Sequence, residues 1–133
     1  MGGIRRFEEI RAWQRARELT RAIYRLTESG PLARDFALRD QLRRAALSAM
    51  TNIAEGFGRR TKADFAHFLD QARGSVVEVQ SLLYVALDVS YITQQQFDQH
   101  YALAAEVISL IAAFTSYLRG RRPSSHTTAQ ETQ

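Results

Sequence analysis

The stretch from Phe65 to Ala86, FAHFLDQARGSVVEVQSLLYVA, decides the fold class of this chain of 133 residues. Its apolar side chains recur at alternating spacings of four and three residues, which is the period of one face of an α-helix. They are Phe65, Leu69, Ala72, Val76, Val79, Leu83 and Ala86. Because such a face is stable only when it packs against other helices, the stretch predicts one member of a helical bundle.

Three other segments carry the same spacing. The first helix is predicted over about residues 8–28, where Ser29-Gly30-Pro31 stops it, the second over about 38–57, and the fourth after Thr93. Their stripes are Ala12, Ala16, Leu19, Ile23 and Leu26; Leu42, Ala46, Ala49, Ile53 and Phe57; and Phe97, Tyr101, Ala104, Ile108, Ile111, Thr115 and Leu118. With short connections, these helices predict an all-α fold, an antiparallel up-down-up-down four-helix bundle.

The ends of these helices carry recognisable signals. Gly58 is predicted to be a left-handed cap of the second helix. Capping boxes are predicted where Thr61 precedes Asp64 and where Thr93 precedes Gln96. We predict one domain over residues 1–119 and a disordered polar tail over residues 120–133, because the tail has no apolar period.

Composition restricts the location and chemistry of the protein. The chain has no cysteine, which excludes disulfides and thiolate metal sites and is compatible with a reducing compartment. No apolar run approaches the roughly 20 residues of a membrane span, and the charged start is not that of a signal peptide. We therefore expect a cytoplasmic protein outside the membrane, with no cofactor.

Positive charge is concentrated in the first half of the chain. Residues 1–62 carry 14 Lys and Arg against 7 Asp and Glu, whereas residues 63–118 carry 1 against 6. On the first helix, Arg11, Arg15, Arg21 and Arg25 fall opposite the apolar stripe, and Glu18 alone relieves them. This face is a candidate nucleic-acid surface that would hold phosphates without reading bases. The alternative is a solvated face without a partner. Seventeen of the eighteen basic residues are Arg, which favours bidentate contacts to phosphate or carboxylate, but an arginine-rich genome would give the same preference.

The segment from Ser48 to Arg60, SAMTNIAEGFGRR, combines helical periodicity with polar side chains. We interpret it as half of a structural polar seam between the second and third helices, with groups that satisfy one another. The seam comprises Gln41, Arg44, Ser48, Asn52 and Glu55 on one helix and Ser75 and Glu78 on the other.

A register for this seam follows from folding the two helices back at the turn after Gly58. It places Ser48 level with Gln71 and Arg44 level with Ser75, with Glu78 in reach of Arg44 or Gln41. Gly74 is expected to allow close approach of the two backbones.

A phosphate-binding loop is the weaker interpretation of the glycines in this segment. No strand precedes them, and the spacing of a nucleotide-binding loop is missing. Arg59, Arg60 and Lys62 nevertheless lie beside the N-terminus of the third helix, where anions are favoured. These three residues are therefore additional candidates for phosphate contacts.

Catalysis has little support in the sequence. His67, His100 and His126 show no ligand spacing, so no metal site is predicted. Ser48 and Ser75 would be nucleophiles only if a histidine reached them, and the predicted register puts none there. We expect that the protein is not an enzyme.

The fourth predicted helix has a second apolar stripe. Leu103, Val107, Leu110, Phe114 and Tyr117 lie beside the first stripe, and Glu106 is the only charge between residues 101 and 118. A four-helix bundle leaves each helix a solvent side. The wide apolar arc therefore favours contact with another subunit.

Three segments resemble a known family: FEEIRAWQRARELTRAIYRLT (7–27), LRDQLRRAALSAMTNIAEGFGR (38–59) and FAHFLDQARGSVVEVQSLLYVALDVSYI (65–92). The shared positions are Gln41, Arg43, Arg44, Ser48, residues 52–56, Arg59, Gly74, Ser75 and Glu78. They resemble the four-helix bundle proteins encoded by intervening sequences of large-subunit ribosomal RNA genes, also labelled S23 ribosomal proteins.

This resemblance implies a homopentamer of four-helix bundles without an established enzymatic role. The chain is also similar in fold to accessory proteins of diversity-generating retroelements, whose basic pentamers are thought to bind nucleic acid and a reverse transcriptase. Two hypotheses follow. Either the protein is an oligomeric accessory factor that binds RNA or DNA, or it is a scaffold that docks another protein.

Overall fold

The structure, a computed structural model, describes residues 3–120. In this range a 3₁₀ turn at Phe7–Glu9 precedes five α-helices. They are α1 (Arg11–Leu26), α2 (Gly30–Arg34), α3 (Phe36–Phe57), α4 (Lys62–Asp88) and α5 (Gln94–Leu118). The four long helices α1, α3, α4 and α5 are the four predicted ones, and the all-α prediction is confirmed.

The long helices pack side by side as a bundle. Contacts at two levels give the direction of each neighbouring pair, and in each case the chain numbers rise on one helix as they fall on the other. These contacts join Gln41 to Glu78 and Ser48 to Ser75 (α3 with α4), Asp70 to Arg119 and Tyr84 to Phe97 (α4 with α5), and Thr20 to Ala46 and Thr27 to Arg43 (α1 with α3). Consecutive long helices are therefore antiparallel.

The predicted apolar stripes form the core. All seven stripe residues of α4 are buried, as are four of the five on α1 and on α3. The exceptions, Leu26 and Phe57, are the last residues of their helices and are only partly covered. On α5 the partly covered stripe residues are Tyr101 and Ile108. One continuous core thus joins the four long helices.

The helix starts agree only in part with prediction. At α5 the capping box is complete, because Thr93 and Gln96 each accept the other's backbone N–H. At α4 Thr61 accepts the N–H of Asp64, but no reciprocal bond from the Asp64 carboxylate is present in the described residues. The shorter aspartate side chain accounts for the missing half. Asp35, which caps α3, was not predicted.

The predicted left-handed cap at Gly58 is wrong. Its φ of −79° lies in the right-handed region. The N–H groups of Gly58 and Arg59 instead bond to the carbonyls of Glu55 and Gly56, three residues back. These bonds tighten the last turn of α3. They satisfy backbone carbonyls that would otherwise bond to the N–H groups of a left-handed cap.

Left-handed residues follow α4 and α5 instead, at Ser90 with a φ of 63° and at Gly120 with a φ of 72°. The N–H of Tyr91 bonds to the carbonyl of Ala86, and that of Ser90 to the carbonyl of Leu87. These two bonds form a Schellman motif, which usually has glycine at the left-handed position.

Helix α2 was not predicted, although its position is where the sequence stops α1. Gly30 adopts a φ of 73° and Pro31 occupies the first turn, where its missing N–H costs nothing. Leu32 is buried and ties this short helix to the core. Five residues are too few to show a helical period.

Helix α5 departs from the expectation that no segment is apolar enough to span a membrane. By length and composition it passes that test, with a mean hydropathy of 1.6 over 18 residues, of which 28% are buried. In the bundle its buried residues face the other long helices. The predicted tail, apart from Gly120, lies outside the described residues, as do Met1 and Gly2.

Candidate nucleic-acid interface

Two of the four arginines on the α1 face are held by carboxylates. Arg15 donates two hydrogen bonds to Glu106 of α5, at 3.0 and 2.8 Å. Hydrogen bonding to Arg15 lowers the pKa of Glu106 below its ordinary value, and the same bond raises the pKa of Arg15. Arg21 pairs with Glu18 one turn earlier, at 3.2 Å. Glu18 could be recognised from the sequence because it lies on the same helix as these arginines. The pairing of Arg15 with Glu106 could not, because it depends on the register between α1 and α5.

The other two arginines, Arg11 and Arg25, are exposed, and their guanidinium groups have no hydrogen bond or ion pair within residues 3–120. They stand fourteen positions apart on α1, about 21 Å along the axis at 1.5 Å per residue. The predicted face of four arginines therefore offers two free cations near its two ends and two neutralised ones between them.

Arg25 lines a cleft of about 410 Å³ between the last turns of α1 and the first turns of α5. Aliphatic groups come from Ala22, Leu26 and Leu103, and polar groups from Arg25 and from three residues of α5. Those three are Gln96, Gln99 and His100. The residues of α5 were missed in the sequence because only the α1–α5 register places them beside Arg25.

The second candidate surface is the turn between α3 and α4. Arg59 donates to Glu55 at 2.8 Å and lies over the ring of Phe68, 4.5 Å from its centroid. Arg60 and Lys62 are exposed and make no side-chain hydrogen bond or ion pair in the part of the chain that is described. The turn thus also presents two free cations, close together in sequence.

The polar seam between α3 and α4 forms, but with a different register. Ser75 donates to Ser48 at 2.9 Å, and Asn52 donates to the hydroxyl and the carbonyl of Ser48 at 3.0 and 2.8 Å. Gln41 donates to Glu78 at 3.3 Å, one of the two contacts expected for Glu78. The prediction that Ser48 lies level with Gln71 is wrong by one helical turn, because Ser48 contacts Ser75 instead.

Arg44 and Glu55 are not joined to this network. Arg44 is exposed, lines a shallow polar groove of about 370 Å³ with Ser48 and Glu78, and has no side-chain partner within residues 3–120. Glu55 is exposed, and among residues 3–120 its side chain bonds only to Arg59. The network of Ser48, Asn52 and Ser75 is therefore the structural part of the predicted seam.

Gly74 does not bring the helices together, contrary to expectation. It is exposed, and a Cβ added there would meet nothing within 4 Å. The close approach occurs at Gly56, where an added Cβ would lie 2.8 Å from both Phe65 Cδ1 and Phe68 Cβ. The sequence motif contains both Gly56 and Gly74. It does not give the α3–α4 register, which is needed to identify the glycine at the close approach.

An apolar groove of about 490 Å³ lies at the opposite end of the α1–α5 interface. Ile4, Leu110, Phe114 and Tyr117 supply apolar walls, and Arg11 stands among them. Tyr117 remains 54% exposed. Most of the second apolar stripe of α5 is covered within the subunit, because Val107 is fully buried and Leu103, Leu110 and Phe114 pack against the core, which leaves Tyr117 as the exposed member of this stripe.

Comparison with known proteins identifies the family. The model of the 23S rRNA-intervening sequence protein family matches residues 8–113, from the 3₁₀ turn into the last turns of α5. The chain belongs to the 23S rRNA-intervening sequence protein family. The matched range contains both arginine surfaces and the whole polar seam, so each lies within the region common to this family.

A solved structure supports the same fold. The chain is similar to a protein of unknown function from the S23 ribosomal protein family of Bacteroides thetaiotaomicron, with a TM-score of 0.71 and 21% sequence identity. The alignment covers 78% of this chain and 97% of that one. No curated protein matches the chain. For this member of the intervening sequence protein family, the function must therefore be argued from its own surfaces.

Proposed function

We propose that this protein is a non-enzymatic homo-oligomer, a pentamer by its family resemblance, that binds RNA or DNA through the arginine face of α1. The observation that carries the nucleic-acid part is the pair of free cations, Arg11 and Arg25, on one exposed helix face. Such contacts neutralise phosphates without reading bases, which suits an accessory factor that binds nucleic acid irrespective of its base sequence.

Oligomerisation is supported by the outer surface of α5. Only 28% of its most apolar 18 residues are buried in one subunit. Its exposed side carries small residues, Ala102, Ala105, Ser109 and Ala112, and Val77 and Tyr84 of α4 are 44% and 50% exposed. Tyr84 packs on Phe97 of α5, which links the two surfaces. Large exposed apolar patches of this kind mark protein interfaces.

Oligomerisation would strengthen nucleic-acid binding without any new contact. Each subunit carries on α1 the free cations Arg11 and Arg25 and also Arg17, which is exposed and has no ion pair within residues 3–120, and a ring of subunits repeats this set. A single subunit with few phosphate contacts would bind weakly, whereas several joined subunits bind one strand with a higher effective concentration. The two parts of the proposal are therefore linked, and both can be measured separately.

The absence of an enzymatic role is part of the proposal. The hydroxyls of Ser48 and Ser75 bond to each other, and within residues 3–120 neither has a histidine partner. Over the same residues, no three His, Asp or Glu side chains come close enough together to hold a metal ion. The chemistry of a nucleophile or a metal-bound water is thus not supported by the geometry of this region.

Binding titrations test the nucleic-acid proposal. The wild-type protein would be titrated with a structured RNA and with duplex DNA at a low and a high salt concentration. We expect binding to both, weaker at high salt, because phosphate contacts release counterions. A protein that binds neither nucleic acid at low salt would contradict the proposal.

A protein-docking scaffold is the second candidate function. The groove lined by Ile4, Leu110 and Phe114 supports it, since an apolar groove with a cation at its edge suits an apolar segment that carries an acidic residue. A reverse transcriptase is a possible partner of this type. Failure of the titrations above would make this the leading candidate.

A further inference from the structure

The cleft between α1 and α5 has the composition of a pocket for one nucleotide. Its volume of about 410 Å³ is within the range of small-ligand sites, which is roughly 300–1,000 Å³. Its lining combines aliphatic side chains, Ala22, Leu26 and Leu103, with amide, imidazole and guanidinium groups, and each helix contributes both kinds. A nucleobase likewise combines an apolar face with a polar edge.

The polar groups of the cleft still have hydrogen-bonding capacity. The amide of Gln99 has no partner among residues 3–120, and Gln96 uses only its oxygen, which accepts the N–H of Thr93. His100 Nδ1 lies 2.6 Å from the carbonyl of Gln96, which can only accept, so Nδ1 is the donor and Nε2 is left over. The cleft therefore presents amide donors, an amide acceptor and a ring nitrogen.

Arg25 connects this cleft to the phosphate-binding face. It lines the cleft and is also one of the free cations on α1. A strand whose phosphate contacts Arg25 would bring the adjoining sugar and base to the aliphatic side chains that line the cleft. A paired base cannot enter, because its polar edge is occupied by its partner and its face by the stack.

We infer that the α1–α5 cleft receives one unpaired nucleotide of an RNA or DNA strand held by Arg25. This inference rests on the proposed function and names its substrate class, which is single-stranded or looped nucleic acid in preference to duplex. Proteins that bind single strands combine a cationic track with side chains on which exposed bases stack, and in this cleft the ring of His100 is the side chain of that kind.

Two variants test the cleft without altering charge. Gln99→Ala removes an exposed amide, and Ala22→Leu places a larger side chain in the space of the cleft. We expect each to lower affinity for a short oligoadenylate roughly two- to tenfold, the equivalent of one hydrogen bond or of a similar amount of apolar packing. Affinity for a blunt RNA duplex and the salt dependence should not change. Gln95→Ala, which changes a glutamine outside the cleft, is the matched control.

The outcomes separate this inference from the proposed function. If wild-type protein binds duplex and single strand equally and both variants leave oligoadenylate binding unchanged, the cleft inference is overturned while phosphate binding stands. If no nucleic acid binds at all, both fail. Thermal melting checks that each variant is folded.

Discussion

Gly56 and Gly74 both lie inside long helices, but only Gly56 has neighbours against its Cα. A methyl group at Gly56 would meet Phe65 and Phe68 at 2.8 Å, whereas one at Gly74 would face open space. Helix propensity favours alanine at both positions by about 1 kcal/mol. At Gly56 the overlap outweighs this gain, because overpacking a close contact costs about 1–3 kcal/mol.

This pair gives a prediction with its own control. We expect Gly56→Ala to lower the free energy of unfolding by up to about 2 kcal/mol, since the propensity gain of about 1 kcal/mol offsets part of the overpacking cost. Gly74→Ala should raise it by up to about 1 kcal/mol. Chemical denaturation of both variants measures the difference. Equal effects of the two substitutions would contradict the packing at Gly56.

Asn52 and Glu55 lie one turn apart on α3 but differ in their surroundings. Asn52 is half-buried and bonds twice to Ser48, whereas the Glu55 side chain is 58% exposed and has Arg59 alone as partner. We expect Asn52→Ala to destabilise the fold by about 0.5–1.5 kcal/mol. Glu55→Ala should change stability by no more than about 0.5 kcal/mol. A larger loss for Glu55 in thermal melting would restore it to the structural network.

At the scale of whole helices, the Arg15–Glu106 ion pair joins α1 to α5. Because Arg15 holds the pKa of Glu106 below its ordinary value of 4.5, the folded state favours the carboxylate. The resulting stability is present above pH 4.5 and is lost as the pH falls through the lowered folded pKa. Salt bridges with this exposure are also weakened by salt.

We therefore expect Arg15→Gln to reduce the fall in melting temperature between about pH 6 and pH 3. The remaining fall comes from other carboxylates with lowered pKa values, such as Glu8 and Asp40. Glu106→Gln should give the same reduced dependence, and the double variant should add nothing further. A pH dependence in Arg15→Gln equal to that of the wild type would show that the pair does not contribute.

Helices could be predicted from the sequence because a 4-3 apolar period depends only on local spacing. The contacts between them could not. The α3–α4 register differs by one turn from the predicted one, since two helices with the same period can pair in several offsets. The same uncertainty concealed the choice of Gly56 over Gly74 and the pairing of Arg15 with Glu106. Helix α2 was missed because its stability comes from Leu32 in the core.

At the scale of the whole molecule, a single subunit leaves one side of α5 uncovered. That side carries Ala102, Ala105, Ser109 and Ala112. We expect light scattering to give a mass several times the 15.1 kDa of one chain, with five subunits as the proposed number. Ala105→Glu with Ala112→Glu should shift it towards the monomer, because each places a charge in the apolar interface. Ala37→Glu, at an exposed position on α3, should leave the mass unchanged.

A wild-type mass equal to that of one chain at micromolar concentration would contradict the oligomer. It would also weaken the case for tight nucleic-acid binding, because an isolated subunit makes fewer phosphate contacts than a ring that repeats them. An unchanged oligomer in the doubly substituted variant would instead show that another face forms the interface.

We propose that α1, and not the turn between α3 and α4, holds the phosphates of a bound nucleic acid. A direct test compares the slope of log affinity against log salt for duplex DNA in three proteins. They are the wild type, Arg11→Gln with Arg25→Gln, and Arg60→Gln with Lys62→Gln, each variant having two free cations fewer. We expect the α1 variant to flatten the slope by about 0.9 for every phosphate it no longer neutralises, and the turn variant to keep the wild-type slope. A flattened slope in the turn variant with an unchanged one in the α1 variant would show that the turn, and not α1, binds the phosphates.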